Sequence, residues 1–476
     1  MSLKNFRDEF DDTTTGTRED VTVQVFGRVQ NVRSVGSKLM FIDFGREHQK
    51  LQAMNEFSYL SQHGVEREQY NKLRSVVRKG DWISVTGHPT RTPTGELSIK
   101  AVEIPSILAP SLHHVPRAVS DPETLANRPH VHQLLDRTPG DVLKMRAFIY
   151  QFLRNFLAQD RFMEVETPMF DVGAGGAVAR PFETVANEMS NKVLKLRVAP
   201  ELYLKRLVVA GNDRVFELGR VFRNEGIDNT HNPEFTICEF YQVGAMLEDL
   251  IAKTERLFIT LAAAIQCSRE SEFPSLPNIG TNWTAPFARL PFIPTIEQAL
   301  NRKLPNLSSE TAVDDLLLLF SETGIPLPAQ VTLPRLLDIL AEKYIEPLCS
   351  EPTFITHHPE ALSPLSKSYL DSQTLQRVAA RAELFIAHRE YVNCYEEENS
   401  PFEQRRKFEE QIKFQKDGLG EVDESYIEAL EWGMPPTGGW GCGMDRLVMY
   451  FTGVKRISDV LPFGTLRNVI SIARNR

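Results

Sequence analysis

Apolar and polar residues alternate with a two-residue period in five short runs near the start of the chain: 21–29, 38–44, 50–54, 81–87 and 97–104, separated by glycine-containing turns. Such alternation predicts strands with one buried face. Between the third and fourth runs, 66–78 has a polar helical spacing followed by Gly80, which predicts a surface helix. A stretch rich in Pro and His, 105–129, reads as a linker. Beyond it, Val142, Met145, Phe148, Ile149, Phe152, Leu153 and Phe156 form a helical stripe over 141–159, with Asp141 as its expected cap. A strand at 162–165, ended by Pro168, follows. Strands and helices then alternate to the end of the chain. The interruption at 268–328 is rich in Pro, Ser and Thr around one helix, 312–320, and reads as an insertion.

A length of 476 residues implies two or three domains, and 42% hydrophobic with 25% charged residues is ordinary soluble globular usage. The longest apolar runs, 257–265 and 316–320, fall well short of the roughly 18 residues that cross a bilayer. Five cysteines (Cys238, Cys267, Cys349, Cys394, Cys442) contain no C-x-x-C pair, which argues against zinc or a disulfide framework and suits a reducing compartment. The net charge of −9 divides unevenly: 21–104 carries +4, leaving −13 elsewhere. A basic first module is compatible with a polyanion, and equally with a solvated mixed surface. Its order, five strands with a helix after the third, is that of an oligonucleotide-binding barrel, although other small barrels share these signals. The first twenty residues carry Asp8, Glu9, Asp11, Asp12, Glu19 and Asp20 against Lys4, Arg7 and Arg18, which matches neither a secretory signal nor a transit peptide.

Several common chemistries leave no trace. There is no G-x-x-x-x-G-K-[ST] loop, G-x-S-x-G elbow or H-E-x-x-H helix, and the glycines at 173, 175 and 176 have the wrong spacing for a dinucleotide turn. More informative is Phe222-Arg223-Asn224-Glu225, followed by His231-Asn232-Pro233-Glu234-Phe235-Thr236-Ile237-Cys238-Glu239. On two antiparallel strands, alternation puts Arg223 and Glu225 on one face and Phe235, Ile237 and Glu239 together on the return strand. A guanidinium grips phosphate in bidentate fashion and a phenyl ring stacks on a purine. Alone, this pattern is also an ordinary surface hairpin with a salt bridge. Near the C-terminus, Gly439-Trp440-Gly441-Cys442-Gly443-Met444-Asp445-Arg446 alternates glycines, which lets a strand approach a ligand or another backbone closely before a helix begins around Arg446.

In this order, the two segments resemble motifs two and three of class II aminoacyl-tRNA synthetases. Residues 146–168 resemble the first motif, a helix, a strand and an obligatory proline, with Arg161 where the family usually has glycine. The resemblance spans 21–468, since the leading barrel fits the lysine, aspartate and asparagine subgroup. Within it, 92–99, 198–206 and 223–239 look like lysyl-tRNA synthetases, and the barrel and the 116–141 connection look most like fungal organellar forms. The implied fold class is α+β. An acidic tail (1–20) precedes an oligonucleotide-binding β-barrel for the anticodon (21–108), a linker (109–140) and a class II catalytic domain (141–476) built as an antiparallel sheet flanked by helices.

The resemblance also implies a site. ATP would lie bent on the sheet, with Arg223 on its α-phosphate and on the lysine carboxylate, Glu225 at the adenine edge, Phe235 and Arg446 flanking the adenine, and Arg446 and His231 reaching the terminal phosphate. Glu239 belongs to the same site. Glu383 and Glu390, bracketing a predicted hairpin turn at Ala387-His388, would hold Mg²⁺; read without the resemblance, they are solvated hairpin acids. A lysine pocket needs buried acceptors and negative charge. Glu201, Glu239 and Glu397 match such carboxylates: Glu397 and Tyr241 would take the ε-ammonium, Glu201 and the Gly176 backbone the α-amine, and Asn393 the carboxylate. In the barrel, Arg28, Phe41, Gln52 and Glu96 match anticodon-binding positions, with a core role as the alternative for Phe41.

The expected activity is lysine–tRNA ligation by a homodimer using ATP, Mg²⁺, lysine and tRNA(Lys), with no zinc, DNA or membrane partner. The mitochondrial matrix is the expected compartment and the cytosol its alternative. Rival readings are an aspartate or asparagine ligase, a non-catalytic RNA-binding paralogue, and a protein-lysine ligase, which normally lacks the barrel.

Overall fold

The computed structural model describes all residues except 117, 118, 120, 173–178, 190, 191, 414–421, 475 and 476. The chain forms two compact units, Met1–Asp121 and Pro122–Arg476.

In the first unit, strand Val23–Val35 pairs antiparallel with Leu39–Arg46 on one side and with Trp82–Arg91 on the other. Gln49–Glu56 follows Leu39–Arg46, and Leu97–Ala101 closes the barrel by joining Trp82–Arg91 antiparallel and Gln49–Glu56 in parallel. This is the expected oligonucleotide-binding order. The first strand runs past the predicted boundary at residue 29 because a bulge near Val29 and Asn31 lets it bend and continue. The predicted surface helix is Arg67–Val76, started by a capping box in which the Glu66 backbone donates to Gln69 at 2.9 Å. Val25, Met40, Ile42, Phe44, Ile83, Val85 and Ile99 fill the interior.

The acidic start is more than a tail. Helix Leu3–Phe10 is capped by the Ser2 hydroxyl, which accepts from the Asn5 backbone at 3.0 Å. It buries Leu3, Phe6 and Phe10 in the barrel's hydrophobic core, while its acids face water. Counting charge hides such a helix; the i, i+3, i+7 spacing of the three apolar residues reveals it.

The second unit is built on an eight-stranded sheet ordered Ala288–Pro291, Thr353–Thr356, Arg381–Ile386, Arg389–Glu396, Thr437–Gly443, Glu234–Val243, Arg214–Phe222 and Met163–Glu164. Its central pairs are antiparallel and its two edge pairs parallel. Helices Thr138–Gln159, Leu247–Glu272 and Met444–Thr452 bury Met145, Ile149, Leu153, Leu257, Leu261, Leu447 and Val448 in one core with the inward residues of the sheet. Burying each such side chain is worth about 1.5–3 kcal/mol. The opposite face carries the chemistry.

Two local expectations change. Asp141 is not a cap: the helix begins at Thr138, with Pro139 tolerated in its first turn, and Asp141 is buried. There it accepts from Arg137 Nε at 3.0 Å and from the Ser275 hydroxyl at 2.7 Å. The interval at 268–328 is also more ordered than an insertion around one helix. Leu247–Glu272 extends into it, and the parallel pair Ala288–Pro291 and Thr353–Thr356 requires a long crossover. Helices Phe292–Leu300, Ala312–Thr323 and Leu333–Tyr344 supply that crossover around their own core of Phe292, Ile296, Leu316, Phe320, Leu336 and Leu340. Arg161, which stands where the resemblance expects glycine, takes φ +62°. The glycine-type turn therefore persists, at roughly 1–2 kcal/mol of backbone strain.

Candidate active site

The floor of the site follows from alternation. Strands Arg214–Phe222 and Glu234–Val243 pair Val221 with Phe235, Glu217 with Glu239 and Val215 with Tyr241. Phe235, Ile237 and Glu239 share one face as predicted, joined by Tyr241, while Cys238 and Phe240 enter the core from the other; Arg223 and Glu225 lie past the first strand, which ends at Phe222, rather than on it. The glycine strand beside them places Gly441 opposite Glu239 and Gly439 opposite Tyr241. On the core side Trp440 stacks on Phe240, ring centroids 5.0 Å apart. On the site side a Cβ at Gly439 would collide with the Glu397 carboxylate and stand 2.8 Å from the Tyr241 ring. Glycine is therefore required there. Asp445, buried at the start of the following helix, accepts from the Thr236 backbone at 2.8 Å and from Arg146 at 2.5 Å, tying the three motif segments together.

One end of this floor is cationic. Arg223 donates to the Val198 carbonyl at 3.4 Å, and its guanidinium lies 5.2 Å from the Phe235 ring centroid. Arg446 is hydrogen-bonded to His231 Nε2 at 2.9 Å and lies 3.9 Å from the Glu390 carboxylate. His231 Nδ1 faces the Asp228 carboxylate at 2.9 Å, so Nδ1–H donates there and Nε2 accepts from Arg446. Asp228 is held well below the usual carboxylate range, chiefly by the Thr230 backbone N–H. Glu225 is exposed beside this group, its backbone N–H on the Arg223 carbonyl at 2.8 Å.

Glu383 and Glu390 lie on adjacent strands joined at Ala387-His388, whose φ values of 49° and 63° make the predicted turn. Glu383 is taken up by protein: His358 Nε2 is 3.1 Å away, and Arg381 also contacts it. Burial would raise its pKa, but Arg381 and His358 prevail and hold it at about 2. Burial and the Glu383 charge instead push Glu390 up to about 7. Among the described residues no cluster of three or more His, Cys, Asp or Glu forms a metal cage.

The other end is acidic and enclosed. Glu201 and Glu397, nearly 200 positions apart in sequence, meet through Lys205, which donates to Glu201 Oε1 at 2.6 Å and pairs with Glu397 Oε2. The Tyr395 hydroxyl donates to the same Glu201 oxygen at 2.6 Å, and the Tyr241 hydroxyl to Glu239 at 3.3 Å rather than to Glu397. Asn393 accepts from Arg381 at 2.9 Å. Burial, reinforced by Glu201, pushes Glu239 up to about 8. Gly176 falls outside the described residues.

The family model described as tRNA synthetases class II (D, K and N) matches residues 121–467, and that described as OB-fold nucleic acid binding domain matches 23–107. The chain belongs to the class II tRNA synthetases. It is 39% identical over 467 residues to lysine–tRNA ligase cla4 of Cladosporium cladosporioides, covering 95% of this chain and 77% of that one. It is 39% identical over 465 residues to the mitochondrial lysine–tRNA ligase of Schizosaccharomyces pombe, covering 94% and 85%. A probable cytoplasmic lysine–tRNA ligase of Encephalitozoon cuniculi is 37% identical over 480 residues, covering 98% and 91%.

This synthetase also carries an outward-facing cluster on its barrel. Burial alternates along Leu39–Arg46, so Phe41 faces out and the core role is excluded. Arg33 lies over its ring at 5.7 Å. Gln52 sits opposite Asp43, one pleat from Phe41, and receives the Ser98 hydroxyl at 3.3 Å; Glu96 lies one pleat before Ser98. Arg28, mid-way along Val23–Val35, is opposite Gly45 and 5.3 Å from the Trp82 ring.

Lys205, Tyr395, Arg381 and His358 escaped the sequence reading. A signal existed for two of them: Lys205 is one helical turn after Glu201, and Tyr395 is two strand positions before Glu397. Arg381 and His358 had none, because their roles depend on which strands become neighbours.

Proposed function

We propose that this synthetase is a lysine–tRNA ligase: it activates lysine with ATP, forming lysyl-adenylate and diphosphate, then transfers the lysyl group to the 3′-hydroxyl of the terminal adenosine of tRNA(Lys). One observation carries the substrate assignment. Three carboxylates, Glu201, Glu239 and Glu397, converge with tyrosine hydroxyls at one end of the site, Glu201 and Glu397 buried, while Arg223 and Arg446 stand at the other. An aspartate or asparagine pocket needs the opposite sign, or none. The three relatives, all named lysine–tRNA ligases, agree.

In this reading Phe235 stacks on the adenine and Glu225 meets its edge. Arg223 draws the α-phosphate and the lysine carboxylate together, while His231 and Arg446 hold the terminal phosphate. Most of the rate enhancement is positioning and charge stabilisation. Glu397 receives the ε-ammonium with Tyr241 beside it, Glu201 and Gly176 the α-amine, and Asn393 orients the carboxylate.

Glu390 fits a hard divalent cation, and Glu383 would join it by exchanging its Arg381 and His358 contacts for the metal. Glu390 has its nearest cationic group 3.9 Å away and a labile proton near neutrality, so it could serve as an oxygen ligand for Mg²⁺. Bound there, Mg²⁺ would neutralise phosphate charge. Arg28, Phe41, Gln52 and Glu96 read the anticodon, with bases stacking on Phe41. The working form is a homodimer, consistent with the exposed apolar Met163, Met169, Phe170 and Val172 beside the first motif. No helix among the described residues is long and apolar enough to cross a membrane. The proposed compartment is the mitochondrial matrix, with the cytosol as the alternative, since the relatives include both kinds.

ATP–diphosphate exchange measured across the amino acids tests the proposal. Lysine should support it; exchange driven by aspartate or asparagine, or none from the folded protein with Mg²⁺, would overturn it.

A further inference from the structure

The cation at the acidic end has a place in no step described so far. Lys205 follows Glu201 by one turn on helix Glu201–Val209, and its side chain has no exposed surface. Its ammonium donates to Glu201 Oε1 at 2.6 Å, pairs with Glu397 Oε2, and lies 5.7–5.9 Å from the ring centroids of Tyr241, Tyr395 and Tyr426. Burial works against its charge, but Glu201 and Glu397 hold its pKa well above the ordinary lysine value.

The two carboxylates are held asymmetrically. Glu201 Oε1 takes both Lys205 and the Tyr395 hydroxyl. Glu397 Oε2 is ion-paired with Lys205 but, like Oε1, receives no hydrogen bond, and Oε1 is buried across Gly439 with no cation beside it. A buried carboxylate oxygen without a donor costs about 1–3 kcal/mol or more, so its donor is to be sought in a ligand. Charge points the same way. Ionised, Glu201, Glu239 and Glu397 against Lys205 leave an excess of two negative charges, which the two ammonium groups of one lysine cancel. Its carboxylate then reaches toward Arg223.

We propose that Lys205 is a positioning residue for amino-acid selection: it clamps one oxygen of Glu201 and one of Glu397, fixing the distance between the two acceptors at the span of a diamino acid. The inference rests on the reading that these acids receive lysine. Lys205 itself touches no substrate atom. It acts by setting where the free oxygens point and by keeping the charge excess at two.

The test uses the full-length protein, with exchange kinetics for lysine and for its one-carbon-shorter homologue, ornithine. Lys205→Met should raise KM for lysine roughly 30-fold, the scale of losing a charge-assisted hydrogen bond, with KM for ATP and kcat within about threefold. It should also lower the preference for lysine over ornithine. Because that change strips two buried carboxylates of their partner, Tyr395→Phe is measured beside it. This variant removes the second clamp on Glu201 without altering charge and should shift the lysine KM in the same direction by about fivefold. If Lys205→Met does not fold, Tyr395→Phe decides alone. A lysine KM unchanged within twofold overturns the inference. So does a lower KM, which would make Lys205 a stand-in that substrate displaces, or an equal loss of ATP and lysine affinity, which would make it purely structural. Wild-type exchange driven by another amino acid would instead remove the reading beneath it.

Discussion

The two ends of the candidate site meet charge differently. At the amino-acid end, Glu201, Glu397 and Lys205 are buried and already bonded to one another and to tyrosines. At the nucleotide end, Arg223 and Arg446 stay partly accessible, resting on an aromatic ring, a histidine and backbone carbonyls that phosphate can replace. Discrimination among amino acids needs acceptors whose position and desolvation are settled before the ligand arrives. Phosphates that must leave again are better met by partly exposed, hydrated cations. Burial is concentrated where selectivity is decided.

Substitutions can break this contrast. The largest effect should come from Glu397→Gln, which removes the fixed acceptor: kcat/KM for lysine should fall by about 10³-fold, the scale of breaking a buried ion pair, with ATP affinity unchanged. A comparable fall in ATP affinity would mean that the two ends are not separate. Arg223→Ala should cut the exchange rate by on the order of 10², as for loss of one transition-state donor. Near-wild-type exchange would deny the nucleotide end its role.

Acidity sharpens the comparison. With Glu239 titrating near 8 in the empty pocket, the amino-acid end holds a proton at neutral pH. Lysine must expel it, so its dissociation constant should rise as pH falls below 8, by up to about tenfold per unit. Calorimetry in buffers of different ionisation enthalpy would register the released proton; a pH-independent constant would contradict the shift. The sign also holds for stability. Glu239 stabilises the empty fold below its ordinary value of 4.5, and that contribution is lost as pH climbs through 8. Saturating lysine should remove the loss, as thermal melts with and without lysine would show.

The smallest effect on lysine activation is expected from the barrel. Phe41→Ala on the barrel should weaken tRNA charging about tenfold, within the 1–3 kcal/mol of one stacked base, and leave amino-acid-dependent exchange intact. Equal loss of both would indicate a folding defect.

Much of this was legible from spacing. The five barrel strands, the capped helix over Arg67–Val76, the hairpin that aligns Phe235 with Glu239, the alternating glycines and the turn at Ala387-His388 all express two-residue or helical periods, which are local. Other features were hidden by composition. The helix Leu3–Phe10 reads as an acidic tail when charges are counted, and the crossover between two parallel edge strands reads as an insertion when its prolines are. Asp141 looks like a cap because acids often are, but buried contacts with Arg137 and Ser275 outweigh that preference.

Alternation, motif order and the sign of the candidate pocket residues were determined by the sequence itself, the first from neighbours a few positions apart and the other two from residue types at positions matching the family's motifs. Tertiary structure decided that Lys205 joins Glu201 to Glu397, that Arg381 and His358 claim Glu383, and that Glu239 and Glu390 keep protons near neutrality. Burial, and charges arriving from strands remote in the chain, set those outcomes. Neither exists until the sheet has brought the strands together and excluded water from between them.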